Sequence, residues 1–196
     1  MALTGGPGAG KTAVLEMASR ILCRHTALLP ESASIVFGGG FPRRPDDVAR
    51  RAAQRAIFHV QREIERLVEE DARTPLAVCD RGTVDGLAYW PAAPADFYRE
   101  LETTRAAELE RYEGVVHLRV PPPASYNHRN PLRVETPEQA EAIDQRILAA
   151  WAGHPRRVII ESEPDFMKKA QRAVWALASF LPACCREHLS LVAIDG

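Results

Sequence analysis

Gly5-Gly6-Pro7-Gly8-Ala9-Gly10-Lys11-Thr12 is the stretch that decides the fold. It fits the pattern G-x-x-x-x-G-K-[ST], with Gly5, Gly10, Lys11 and Thr12 at the fixed positions. A loop that wraps a polyphosphate turns backbone N–H groups inward, and that needs backbone angles closed to most side chains with a Cβ. Lys11 is the expected point charge on the outer phosphates, and the Thr12 hydroxyl an expected ligand of Mg²⁺. The whole run Gly5, Gly6, Pro7, Gly8, Ala9, Gly10, Lys11, Thr12 and Ala13 is the expected nucleotide-binding segment. Beyond it, Val14, Leu15, Ala18, Ile21 and Leu22 recur at helical spacing. A helix therefore begins at the loop, with its positive N-terminal end toward the phosphates. Only Met1 to Thr4 precede the loop. That implies either a minimal first strand or a natural start upstream, since strands usually run about 5–6 residues.

The second informative stretch is residues 76–90. Leu76-Ala77-Val78-Cys79 reads as a buried parallel strand, followed by Asp80-Arg81-Gly82-Thr83-Val84-Asp85-Gly86-Leu87-Ala88-Tyr89-Trp90. An acid at the tip of a buried strand completes a Mg-nucleotide site in a chain that carries a phosphate loop. It holds the metal, or takes the proton of an attacking hydroxyl. Asp80 is assigned that role, with Arg81 beside it to neutralise phosphate charge. Tyr89 and Trp90 read as core or wall.

Other strands and helices follow from pattern. Residues 26–30 form a second strand, and Glu31 after it points toward the crevice beyond the strand ends. Residues 38–45, with three glycines, Arg43 and Arg44, form a connection. A long helix runs from Asp46 to about Glu70, with Asp46 as cap and Ala53, Ile57, Val60, Ile64 and Leu67 as its apolar stripe. Gln54, Phe58 and Gln61 would face the crevice if this helix is its wall. Glu31, Gln54, Phe58 and Asp85 are thus the expected substrate-binding residues. One amphipathic helix is expected over 96–112, and a strand from Val115 to Val120 with His117 as a satisfied buried histidine. Thr136-Pro137-Glu138-Gln139 opens a helix with Ala140, Ile143, Ile147 and Trp151 on one face. Residues 157–160 form the fifth strand. A last helix opens at Ser162 to Asp165, with Phe166, Ala170, Ala173, Leu177 and Leu181 inward and Lys168, Lys169 and Arg172 on its solvated face.

Residues 121–135 are rich in proline and polar side chains and carry Arg129 and Arg133. A phosphoryl-transfer site needs cations that approach once nucleotide is bound, so this segment is expected to be a lid. Tyr126 and His128 are weaker candidates there. Residues 1–182 are expected to form one nucleotide-binding domain. The tail 183–196 carries no readable role.

With both motifs in view, the chain resembles the NadR/TRP-translocation-defective type of P-loop domain, a group sometimes filed with AAA-like ATPases. The resemblance covers about residues 3 to 175. It extends to Pro30-Glu31, residues 54–61, Tyr112 to Leu118, Arg133, Ile143-Asp144, Trp151 and His154-Pro155. It implies an α/β, three-layer P-loop NTPase sandwich with a mainly parallel five-stranded sheet and a kinase-like lid. It also implies chemistry ranging from nucleoside-type kinases to nucleotide binding alone. The DR-x-x-x-D spacing is also similar to deoxynucleoside kinases, where the first acid is the general base. The short first strand is the departure from the pattern.

Composition bounds the rest. The 196 residues suffice for a core burying roughly 70% of the unfolded surface. A net charge of -1 argues against a general nucleic-acid or membrane binder. The four cysteines, Cys23, Cys79, Cys184 and Cys185, include no C-x-x-C pair, which favours a reduced, cytoplasmic chain without a zinc site. No apolar run reaches membrane-spanning length, and no signal peptide precedes the loop. ATP with Mg²⁺ is the expected ligand and GTP the lesser one, since the chain has no N-K-x-D segment to read guanine. The expected activity is phosphotransfer to a small hydroxyl-bearing acceptor such as a nucleoside. The alternative is a nucleotide-dependent regulatory NTPase module without an acceptor. A ring-forming AAA machine is not expected from a chain too short for the usual helical lid domain.

Overall fold

The computed structural model describes residues 1–22, 25–71, 74–122 and 135–183. The strands are β1 (Ala2–Thr4), β2 (Thr26–Leu29), β3 (Leu76–Asp80), β4 (Val115–Leu118) and β5 (Arg157–Ile160). The helices are α1 (Lys11–Ile21), α2 (Ser32–Gly38), α3 (Asp47–Glu70), α4 (Pro94–Glu100), α5 (Arg105–Glu110), α6 (Pro137–Ala150) and α7 (Phe166–Ala178), with a 3₁₀ turn over Thr83–Ala88. The sheet is entirely parallel, in the order β2-β3-β1-β4-β5.

Three residues suffice for β1 because both its edges are paired. Leu3 lies opposite Asp80 on β3 and opposite Val116 on β4. Its side chains alternate as the pleat requires. Leu3 joins Val14, Ala18, Leu118 and Leu177 in the core under α1 and α7. Ala2 joins Val84, Val115, Ile147 and Trp151 in the core under the 3₁₀ turn and α6. This is the three-layer α/β sandwich expected. Asp46 caps α3 by accepting from the Ala49 N–H at 3.0 Å, and Thr136 and Gln139 form a reciprocal box at the start of α6.

Three expectations need correction, and one further element was not foreseen. The helix expected over 96–112 is two, α4 and α5. Glu102 adopts φ 52 and Thr104 starts a new helix by accepting from the Ala107 N–H. Residues 32–38 are helical, a segment too short to show a period. In α3 the buried side is Ala53, Gln54, Phe58, Gln61 and Glu65, while Leu67 is 67% exposed. The polar side chains can face inward because each finds a partner. Gln61 accepts from Ser32 Oγ at 2.6 Å and donates to Glu65, which also takes the Tyr112 hydroxyl at 2.7 Å. Finally, Lys169 is buried rather than solvated, and Phe166 is half-exposed. The expected lid at 121–135 lies outside the described residues save for its ends, as does the tail beyond Ala183. Among the described residues, no helix is long and apolar enough to cross a membrane.

Candidate nucleotide site

The loop joining β1 to α1 is fixed from several sides. Gly5, Gly8 and Gly10 all have positive φ, at 138, 79 and 96. A Cβ on Gly5 would lie 2.1 Å from the Leu118 carbonyl oxygen, and one on Gly10 would lie 2.4 Å from the Phe166 ring. Glycine is required at both places on conformation and on space. The Gly6 N–H donates to Asp144 Oδ1 at 2.9 Å. The Gly5 carbonyl accepts from Arg81 Nη1 at 3.1 Å and from Lys11 Nζ at 3.3 Å. No side chain caps the first turn of α1, whose N-terminal residue after Gly10 is Lys11. Its amides therefore suit an anion. Burial, aided by the Arg81 charge, pushes Lys11 down to about 8. Thr12 is exposed at the mouth, Ala13 is half-buried, and Pro7 and Gly8 are partly exposed.

Asp80 ends β3, the strand beside β1. The Arg81 N–H donates to the Leu3 carbonyl at 3.0 Å, so the acid emerges next to the strand that carries the loop. Neighbouring strands are about 4.8 Å apart, well within the reach of one hydrated ion and a phosphate. Asp80 Oδ1 is buried without a hydrogen-bond partner. Burial raises its pKa, and the Lys11 charge opposes that rise. Arg81 has φ 74, a left-handed backbone rare outside glycine. Its Nε donates to Glu31 Oε1 at 2.7 Å, and its guanidinium lies over the Tyr89 ring. Burial resists ionisation of Glu31, but Arg81, with a hydrogen bond from Ser34, holds its carboxyl down at about 2. The ends of β2 and β3 and the loop are thus tied through one guanidinium.

The remaining candidates divide. Asp85 is 3% exposed, and its carboxylate accepts from Thr4 Oγ1, from the Gly82 N–H at 2.6 Å and from Trp151 Nε1 at 3.3 Å. Its oxygens are engaged by the protein's own donors. Gln54 is buried against Gly86. Phe58 packs with Trp90, Phe97 and Leu101. Phe58 also lines a cavity of about 520 Å³ with Arg62, Leu101, Thr103, Glu108 and Arg111, a lining that includes neither Asp80 nor Glu31. His117 is fully buried, with Nε2 at 2.9 Å from Asp144 Oδ1. Arg129, Arg133, Tyr126 and His128 lie outside the described residues.

Two residues that touch the loop are not among the expected site residues. Asp144 receives the Gly6 amide, His117 and Arg119 Nε. Burial resists its ionisation, and these partners bring its pKa below the usual carboxylate value. Lys169 donates to the Ala9 carbonyl at 2.8 Å. A signal existed for both: 144 lies four after Ala140 and 169 four before Ala173, on the buried stripes of their helices.

The oxygen donors present suit a hard cation. Asp80 offers an unpartnered carboxylate oxygen and Thr12 an open hydroxyl. Mg²⁺ is ordinarily held by one or two such groups together with substrate phosphates. Among the described residues, no group of three His, Cys, Asp or Glu side chains gathers to hold a metal unaided.

A family model described as an AAA domain matches residues 1–169. The chain belongs to the AAA domain family. The match spans β1 through the first turn of α7 and so includes both the loop and Asp80. It makes this AAA domain a P-loop NTPase domain with nucleotide binding as its coarse function. No curated protein matches the chain.

Proposed function

We propose that this AAA domain is a Mg²⁺-dependent phosphotransferase that takes ATP and a small hydroxyl-bearing acceptor such as a nucleoside. The observation that carries the reading is the buried, unpartnered Asp80 carboxylate oxygen, set one strand away from the phosphate loop. A buried acceptor without a donor costs free energy unless a ligand completes it. Lys11 and the amides from Gly8 to Ala13 hold the phosphates, and Thr12 and Asp80 hold the metal. Bound Mg²⁺ supplies neutralisation of the phosphate charge. Asp80, with its pKa raised by burial, is suited to receive a proton from an acceptor hydroxyl. Arg81 adds charge beside the Gly5 carbonyl, while Glu31 keeps its guanidinium pointed there. Arg129 and Arg133 are the proposed cations of the lid. Gln54 and Phe58 are the proposed acceptor wall.

The test uses ATP consumption with a panel of nucleosides, alongside nucleotide binding. Lys11→Ala is expected to abolish nucleotide binding. Asp80→Asn is expected to retain nucleotide and to lose transfer by about 10²–10⁴-fold. Transfer at the wild-type rate by Asp80→Asn would sink the base assignment. The second reading, a regulatory NTPase without an acceptor, draws on the cavity lining, which excludes Asp80. It wins if no acceptor raises ATP consumption above the rate with water alone.

A further inference from the structure

Lys169 lies in the first turn of α7, between exposed Lys168 and buried Ala170, yet it is only 3% exposed. Taking an ammonium out of water costs several kcal/mol unless fixed acceptors receive it. The acceptors are two backbone carbonyls from distant segments. Nζ donates to Ala9 at 2.8 Å, across 160 positions of sequence, and to Arg119 at 2.6 Å. Three residues earlier on the same helical face, Phe166 presses its ring on Gly10. α7 therefore touches the phosphate loop at two successive residues, Ala9 and Gly10. On its other side the loop is held at Gly6 by Asp144.

The geometry has a consequence for the loop's amides. In a planar trans peptide the C=O and the following N–H point in opposite directions. Among the described residues no peptide is cis. Fixing the Ala9 carbonyl toward Lys169 therefore turns the Gly10 N–H away from α7. Gly10 is the residue that opens α1, where an anion is bound by successive amides. The same constraint acts at the Gly5–Gly6 peptide. There the N–H is taken by Asp144 and the carbonyl by Arg81 and Lys11.

We infer that Lys169 is a positioning residue for the phosphate loop, gripping the Ala9 carbonyl so that the Gly10 amide is set for a phosphate oxygen before the ligand arrives. This rests on the reading of the loop as a phosphate site. A lysine present only to fill space would be replaceable by methionine, which has similar length and no donor. A positioning lysine would not.

The test compares wild type, Lys169→Met, Lys169→Arg and Val174→Ala, each full length. Val174 is a buried apolar residue five positions further along the same helix, and it controls for lost stability. Binding of MgATP and of magnesium tripolyphosphate is measured, together with hydrogen exchange of residues 5–13 in the ligand-free protein. Lys169→Met is expected to weaken both ligands by about tenfold or more, the size of one charged hydrogen bond. Its loop amides should exchange faster. Lys169→Arg should recover most of the affinity, and Val174→Ala should bind like wild type despite a lower Tm. If Lys169→Met binds tripolyphosphate as wild type does, or if Val174→Ala loses as much affinity, the inference is overturned while the phosphate reading stands. If wild type binds neither ligand, the phosphate reading falls and the inference falls with it. Should Lys169→Met not fold, Lys169→Leu, which also lacks a donor, carries the same comparison.

Discussion

Under α1 and α7 the sheet is sealed by Leu3, Val14, Val78, Leu118, Val174 and Leu177, whereas the layer under α3 and α5 also buries a group of bonded polar side chains beside Leu29, Cys79, Val84 and Leu109. There Thr83, Glu65, Glu108 and Tyr112 are all buried. The Tyr112 hydroxyl accepts from the Thr83 N–H at 2.8 Å and donates to Glu65. Glu108 accepts from Thr83, Thr103 and Arg62, each at 2.8 Å. The chain of bonds ends three residues from Asp80. The apolar face supplies burial, which is non-directional. The polar face supplies direction, because each group is satisfied in one arrangement only. The turn that follows Asp80 is held by the second kind of contact. Lys169 carries a directional contact into the apolar layer.

Three substitutions can break or sharpen this contrast. Glu108→Leu would leave Arg62, Thr83 and Thr103 facing an apolar side chain. A loss of about 3–5 kcal/mol is expected by urea unfolding, because the buried Thr83 hydroxyl loses its acceptor and the part-exposed Arg62 and Arg111 lose a counter-ion. Leu177→Ala on the apolar side should cost about 3 kcal/mol through lost burial and the cavity left behind. If Glu108→Leu proves the milder change, the polar layer is not what fixes its side of the sheet. The smallest effect concerns Glu31 and Arg81. Because the folded pKa of Glu31 is depressed, from 4.5 to about 2, its contribution is fully present above pH 4.5 and is lost as pH falls toward 2. With the carboxylate 28% exposed, screening limits it to about 1–2 kcal/mol. Glu31→Gln should flatten that part of the acid-unfolding curve. An unchanged curve would mean that the pair has the same strength in the unfolded chain.

The same contrast explains what could be read in advance. The phosphate loop, the β3 tip at Asp80, the caps at Asp46 and Thr136 and all five strands rest on local spacing and backbone conformation, which a sequence displays. The inward face of α3 does not. Periodicity marked Ile57, Val60 and Leu67, because hydrophobicity is a property of one residue. Gln61 and Glu65 are buried only because Ser32, Arg111 and Tyr112, from other segments, arrive to pair with them. Asp85 stood in the same motif as Asp80 and was expected to bind substrate. Nothing in the spacing revealed that Thr4 and Trp151 would occupy one carboxylate and leave the other bare.

Arg81 adopts a left-handed backbone that costs a residue with a Cβ roughly 1–2 kcal/mol. Glycine there would remove that burden and with it the guanidinium that joins Glu31 to the Gly5 carbonyl. The strain relieved is about the size of the Glu31 pair lost, roughly 1–2 kcal/mol each. Stability is therefore nearly indifferent to which residue stands there, and what holds arginine at this strained backbone is the charge it delivers to the loop.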